Sequence, residues 1–386
     1  MWEHVRLAAL IALMSLMSSA CATTASRPLA PAAFAGADSV TSTFIAPGVT
    51  HTFIRDARGP WAIHVLEVDA RICEPVLQTR KPAGALSGRA TTSALTADAL
   101  AGINGDFFML PGGTPVGAHV TGGVPLIGPT DRPVFATSRN GWHIGVAHIN
   151  GYARVRHDSV AITQVNRAAQ ATSAYRGTHA GLTLFTAPAG DSVPADPTAR
   201  VVMLRLIGGN ERAGRGVVTD EDSAAAAVQR RPGTAVLFAH GADRDWARRR
   251  TAGDTVTWTA RVTIGAVLSE AVGGFPELLR DGRDVLGDQI IAASFGEARH
   301  PRTALGWTPG QRLLLVVVDG RQPEWSAGMS LDELVWLFRS LGATDALNLD
   351  GGGSTAMVID GRTISRPSDR EGERPVGNAL ALTGCR

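Results

Sequence analysis

Leu313-Leu314-Leu315-Val316-Val317-Val318-Asp319-Gly320-Arg321 and Ala346-Leu347-Asn348-Leu349-Asp350-Gly351-Gly352-Gly353-Ser354 bracket the segment on which the fold turns. The first stretch is continuously apolar, the mark of a strand buried on both faces. Between the two, Ser330 and Glu333 have the spacing of a helix capping box. Leu331, Leu334, Val335, Phe338 and Leu341 fall on one helical face, and Gly342 supplies the stop. Strand, helix, strand at this spacing predicts a βαβ unit with parallel strands. Asp319 and Asp350 then leave the sheet at the same edge, where open α/β sheets place their ligands.

Upstream the pattern changes. Residues 109–265 hold short apolar runs separated by turn residues, such as Leu182-Thr183-Leu184-Phe185 and Thr255-Val256-Thr257-Trp258-Thr259. That spacing favours antiparallel β structure. Trp61–Val68 is a further strand, and Thr92–Leu100 a short helix before the Asn104-Gly105 turn. The expected class is α+β: a mixed β-sheet core with flanking helices, β-rich in its N-terminal and middle parts, with a C-terminal βαβ unit carrying the Gly-rich turn.

At the N-terminus Arg6 precedes an apolar run, Leu7–Met17, and small residues follow. This is the pattern of an export signal, too short for a comfortable membrane span. Residues 1–22 are therefore expected to be a signal peptide, 23–45 a flexible tether rich in Ala, Thr, Ser and Pro, and 46–386 the functional domain. Cys21 is the candidate lipid-modified residue of a lipoprotein, although Ala20-Cys21-Ala22 also suits plain cleavage. The expected location is the periplasm or cell envelope, with membrane attachment only through such an anchor. Cys73 and Cys385 are left either to pair in an oxidising compartment or to stand as separate buried thiols.

The formal charge of +2 over 386 residues argues against a nucleic-acid-coating protein. The 44 glycines and 21 prolines imply many turns. There is no HExxH spacing and no Gly-x-Ser-x-Gly elbow, so neither a zinc protease nor an α/β-hydrolase triad is expected.

Three glycines after Asp350 bare the backbone and allow a ligand to approach, and their amides suit an anion. A tight structural turn with a capping aspartate is the plainer alternative. Arg302 has the fork that binds phosphate. Glu277, after Gly273-Gly274-Phe275-Pro276, is a second candidate carboxylate. Phe107 or Phe108 offers a ring to stack on a sugar. Asp319 and Asp350 would also suit Ca²⁺ or Mg²⁺ through hard oxygen ligands, with no cofactor required.

Taken in order, several segments resemble the phosphodiester glycosidase family, including its bacterial exopolysaccharide-related members. They are Asn104-Gly105-Asp106-Phe107-Phe108, Gly273-Gly274-Phe275-Pro276, Arg302-Thr303-Ala304-Leu305-Gly306, Val318–Arg321, Ala346–Thr355 and Arg374-Pro375-Val376-Gly377-Asn378. The resemblance spans roughly residues 50–383. It implies hydrolysis of a sugar-1-phosphodiester at its glycosidic bond. On this reading Asp350 is the essential carboxylate, with Asp319 or Glu277 as the second. Arg302 holds the phosphate with help from the Gly351, Gly352, Gly353 and Ser354 amides. Asn104, Gly105, Asp106, Phe108, Thr303, Asn348 and Arg374 complete substrate binding. The chain departs from the family at Arg366-Pro367-Ser368, where an asparagine often stands before Pro-Ser. Other readings are a cell-wall glycan hydrolase such as a muramidase, or a non-catalytic glycan-binding envelope protein.

Overall fold

The computed structural model describes residues 34–82, 85–167, 181–190, 192–193, 199–220 and 228–385. The expected signal segment, Cys21 and the first part of the tether lie outside these residues.

Arg312–Val318 is a central strand, and Leu313 through Val318 are fully buried. Successive side chains point to opposite faces. Leu314, Val316 and Val318 pack under the helix Leu331–Ser340 with Leu334 and Phe338. Leu313, Leu315 and Val317 pack against a second sheet through Ile103, Met357 and Leu380. A continuous apolar run is what two covered faces require. The helix begins at the expected capping box: Ser330 Oγ accepts from Glu333 N, and the Glu333 carboxylate accepts from Ser330 N.

The sheet holding this strand has eight members, in the order Ser39–Ala46, Val49–Asp56, Trp61–Asp69, Arg312–Val318, Arg302–Trp307, Asp345–Asn348, Glu277–Arg280 and Arg283–Asp284. The second sheet is Arg362–Thr363, Met357–Ile359, Ala101–Asn104, Ala379–Cys385 and Pro75–Arg80. A disulfide joins Cys73 to Cys385, with Cα atoms 4.9 Å apart.

The middle of the chain closes on itself. His148–Val155, Asp158–Val165, Gly181–Phe185, Thr234–His240, Arg200–Gly209, Ala213–Asp220 and Thr255–Ile264 pair in that order, and the last returns to the first. The result is a seven-stranded barrel filled by Leu182, Leu184, Leu204, Leu237, Val256 and Trp258. Closure leaves no open sheet edge. A further sheet, built from Gly141–Val146, Pro133–Ser138, Glu270–Gly273, His119–Thr121 and Val124–Ile127, is continuous with both ends of the barrel segment.

Three expectations are corrected. The class is not α+β with flanking helices: the fold is 50% strand and 11% helix. Among the described residues Leu331–Ser340 is the one helix longer than five residues. Short amphipathic strands here cover one another, through sheet packing and barrel closure, so helices are not needed to bury them. Second, Arg312–Val318 and Asp345–Asn348 do run in the same direction, but they are not neighbours. Arg302–Trp307 lies between them and pairs antiparallel with both. A strand inserted from upstream is invisible to local spacing. Third, part of the expected tether is ordered. Phe34 is buried, and Ser39–Ala46 pairs with Val49–Asp56 as an edge strand. Its side chains are mostly exposed, so the backbone ladder holds it and no apolar alternation advertises it.

Candidate active site at the strand ends

Strand direction assembles the site. Arg312–Val318 and Asp345–Asn348 end where Arg302–Trp307 begins, so Asp319, Asp350 and Pro301-Arg302 share one edge. The strand Ala101–Asn104 of the second sheet reaches the same place. Asn104 Nδ2 donates to the Asp350 carbonyl at 2.7 Å, and Asp350 N donates to the Gly105 carbonyl at 3.0 Å.

Asp350 heads the Gly-rich turn. Its Oδ1 accepts from Gly351 N at 2.9 Å. Burial pushes its pKa up to about 6, opposed by the Ser354 hydroxyl, the Gly351 amide and Arg374. Ser354 Oγ sits beside this charge without a well-formed hydrogen bond. The turn's amides are turned inward: Gly352 N donates to Pro301 O and Ser354 N to Gly351 O. The expected amide cradle for an anion is therefore largely closed, because the turn uses these donors to hold its own shape.

Two guanidinium groups lie against the turn instead. A Cβ on Gly352, whose φ is +60°, would lie 3.0 Å from Arg321 Nη2, and a Cβ on Gly353 would run into the Arg374 guanidinium. The glycines are thus what lets two arginines lie against the turn. Arg374 is oriented by Asp369, through Nε to Oδ2 at 2.8 Å and Nη2 to Oδ1 at 3.1 Å. Arg321 Nη2 meets His300 Nδ1 at 3.4 Å, and His300 Nε2 lies 3.2 Å from the Ser294 carbonyl. That carbonyl requires the proton on Nε2 and leaves Nδ1 as an acceptor.

Asp106 is the second unusual carboxyl. It is 1% exposed. Its Oδ2 accepts from Gly117 N at 2.6 Å, and its Oδ1 is buried with no hydrogen-bond partner among the described residues. A Cβ on Gly273 would lie 2.5 Å from Oδ2, so only glycine permits the close fit. Burial pushes the Asp106 pKa up to about 7. The Gly117 amide, Arg132 and Arg167 pull it down, and the nearby Asp350 charge adds to the rise. Asn378 Oδ1 accepts from Asp106 N at 2.8 Å and holds the backbone in place.

Next to this pair Arg132 lies over the rings of Phe107 and Phe275, at 5.8 and 5.2 Å. Arg132, Phe275, Glu277, Arg280 and Gln289 line a cleft of about 610 Å³. Glu277 forms a two-point ion pair with Arg280 there. Phe107 also meets Phe295 edge-on at 5.9 Å.

Other expected site residues face inward. Arg302 is 1% exposed, and its guanidinium donates to the carbonyls of Met329, Phe295 and Ala298 at 2.9, 2.7 and 3.1 Å. A fork engaged by three carbonyls is not turned toward an incoming phosphate. Asp319 accepts from Trp325 Nε1 at 2.7 Å and Arg366 N at 3.0 Å, and its side chain is fully covered. Arg366 thus meets Asp319 through its backbone, at the point where the chain departs from the family. Asn104 Oδ1 accepts from Thr303 Oγ1 at 2.6 Å and Ala356 N at 3.1 Å, so both residues stitch the two sheets together. Asn348 Nδ2 donates to Phe275 O and Leu349 O, leaving Oδ1 buried and without a partner among the described residues. Phe108 packs against Gly377. Among the described residues no three His, Cys, Asp or Glu side chains cluster as metal ligands would.

Residues 210–383 match the phosphodiester glycosidase family. The resemblance carried by the ordered motifs is thereby supported, and the matched part includes Glu277, Arg321, the Gly-rich turn and Arg374. The phosphodiester glycosidase match begins inside the barrel and leaves out Asn104 and Asp106. Mouse N-acetylglucosamine-1-phosphodiester alpha-N-acetylglucosaminidase is 35% identical over 77 residues, 20% of this chain and 14% of that enzyme's length. A hypothetical protein from Synechocystis shares the fold, with a TM-score of 0.71 and 21% identity over 91% of this chain and 64% of its own. A putative exported protein from Burkholderia pseudomallei aligns with a TM-score of 0.65 and 27% identity, over 84% of this chain and 74% of its own.

Arg321 and Arg132 were not among the residues expected from sequence. Arg321 had a signal, since it ends the Asp319-Gly320-Arg321 turn. Arg132 had none: its loop, Thr130-Asp131-Arg132-Pro133, looks like any polar turn.

Proposed function

We propose that this protein hydrolyses a sugar-1-phosphodiester at its glycosidic bond, on an exported glycan or glycan precursor. The observation that supports this most is the pairing of the buried Asp106 and the part-buried Asp350 with two arginines against the turn that Asp350 heads. Carboxyls of raised pKa beside guanidinium groups suit a reaction that separates a cationic sugar from an anionic phosphate.

The sugar C1–O bond breaks, and the bridging oxygen leaves with the phosphate as a phosphomonoester. Phosphate is a weak base, so the leaving group needs charge stabilisation more than a proton. Arg321 and Arg374 supply it, in place of Arg302. Asp350, ionised above pH 6 or so, faces the oxocarbenium-like carbon and takes up the proton that water releases on attack. Asp106 offers its unpartnered Oδ1 to a sugar hydroxyl. The aromatic pair Phe107 and Phe275, with Arg132, forms the wall against which the sugar or its aglycone lies.

The Cys73–Cys385 disulfide supports an oxidising compartment, the periplasm or envelope. The test is turnover of a panel of sugar-1-phosphodiesters set against digestion of purified cell wall. Release of free sugar and phosphomonoester is expected from the first. Digestion of cell wall with no turnover of any phosphodiester would sink the proposal, as would full turnover by Asp350→Asn.

A further inference from the structure

At the edge of the first sheet opposite Asp350, the strands Trp61–Asp69 and Arg312–Val318 meet at the Asp69–Arg312 pair. There a cleft of about 600 Å³ opens. The central strand has seven residues, so at about 3.4 Å per residue the cleft lies roughly 20 Å or more from the catalytic turn.

Two strands wall it. Pro75–Arg80 pairs with Ala379–Cys385, and Gly141–Val146 with Pro133–Ser138; both stand at the ends of their sheets. The half-buried Trp142 lines the cleft, and the Trp307 ring lies 6.1 Å from it at a tilt of 46°. Gln78, Gln311, Thr137 and Ser138 bring amides and hydroxyls. Glu270 lines it too, and its carboxylate is engaged by Thr79 N, Thr79 Oγ1 and Gly122 N at 2.8, 2.8 and 2.7 Å. The charged residues of the lining are Glu74, Glu270 and Arg139, so the cleft does not favour an anion. Its wall is braced where it matters: the Cys73–Cys385 bridge precedes Glu74 directly, and Cys385 pairs with Pro75.

We infer that this cleft is a second carbohydrate site, which binds a neutral oligosaccharide along Trp142. An indole face suits the C–H face of a pyranose, and the amides and hydroxyls around it match its rim of hydroxyl groups. A braced wall lowers the ordering cost of weak, many-point binding. The site serves to hold a glycan chain on the protein. It does not rest on the hydrolase proposal, because none of its residues belongs to the Asp350 edge.

The experiment is calorimetric titration of the full chain with chitotetraose, cellotetraose and maltotetraose. At least one is expected to bind with a Kd of about 1 mM or tighter. Trp142→Ala is expected to weaken that binding about tenfold or more, and Gln78→Ala and Gln311→Ala about fivefold each. Turnover of a small sugar-1-phosphodiester is expected to stay unchanged in all three variants. Gln311 is exposed, so its variant reports even if Trp142→Ala fails to fold. Binding of none of the three tetrasaccharides overturns the inference. So does binding that survives all three variants or that disappears only in Asp350→Asn. Tetrasaccharide binding without phosphodiester turnover in the wild type would keep this site and remove the hydrolase proposal.

Discussion

Asp319 and Asp350 begin as equals. Each follows a buried strand, each is followed by glycine, and both reach the same sheet edge because their strands run in the same direction. Their surroundings then separate them. Asp319 is closed over by Trp325 Nε1 and the Arg366 amide, which fix the loops on either side. Asp350 receives one amide at its own turn and keeps a carboxyl whose pKa is pushed up to about 6. The difference teaches that a carboxylate at a strand end stays available for chemistry only when the protein leaves it short of donors. One that is fully hydrogen-bonded has become part of the scaffold.

The hardest way to break this comparison is to neutralise both. Asp350→Asn is expected to lower kcat about 10³-fold or more while leaving the melting temperature unchanged or higher, because it removes a charge that is costly to bury. Asp319→Ala should do the reverse. Two part-buried donors, Trp325 Nε1 and the Arg366 amide, lose their acceptor, so a stability loss of about 2 kcal/mol is expected in denaturant titration, with activity falling only as far as the loops loosen. If Asp319→Asn proved as inactive as Asp350→Asn while fully stable, the two residues would be equals after all.

Arg321→Ala and Arg374→Ala sharpen the same contrast for the arginines. Each is expected to lower kcat/KM about 10- to 100-fold on a phosphodiester, by analogy with single transition-state donors. Arg302→Ala should instead unfold the protein at lower denaturant, since three carbonyls lose their donor.

The smallest effect is in pH. The Asp350 and Asp106 pKa values are raised above the unfolded value of 3.8, to about 6 and about 7. Between pH 4 and 7 the unfolded chain therefore binds fewer protons than the folded one, and stability falls as pH rises through that window. Asp106→Asn keeps the oxygen that accepts from Gly117 N and removes the charge. Its melting temperature should exceed the wild type's above pH 7 and converge with it near pH 4. A wild-type profile flat across this window would show that Asp106 is not held at a raised pKa.

Some of the residues that meet at this edge are legible in the sequence, for reasons that can be named. Asp350 and its glycines and the helix with its capping box are local features, each written in consecutive residues or at helical spacing, whereas Arg374 enters only through the ordered motifs. Asp106 was placed with the substrate only through the ordered motifs. Its raised pKa comes from burial, and the close packing that buries it needs Gly273, which is distant in the chain. Arg302 was misjudged because an arginine's type states what it can bind but not which way it points. The α+β expectation fails on pairing partners: many of the strands are local runs, and the barrel closure that joins His148–Val155 to Thr255–Ile264 is not.

By itself, then, the sequence determined many of the strands, the helix Leu331–Ser340, the Gly-rich turn after Asp350 and the resemblance to phosphodiester glycosidases. Those depend on periodicity, capping and backbone freedom, all short-range. The tertiary structure alone decided that Arg302–Trp307 lies between the two aspartate strands. It alone decided that Asp319 is saturated with donors, that Arg321 and Arg374 face the glycines, and that Asp106 joins Asp350. Each of those depends on which groups from remote segments are brought within hydrogen-bond reach and shut away from water.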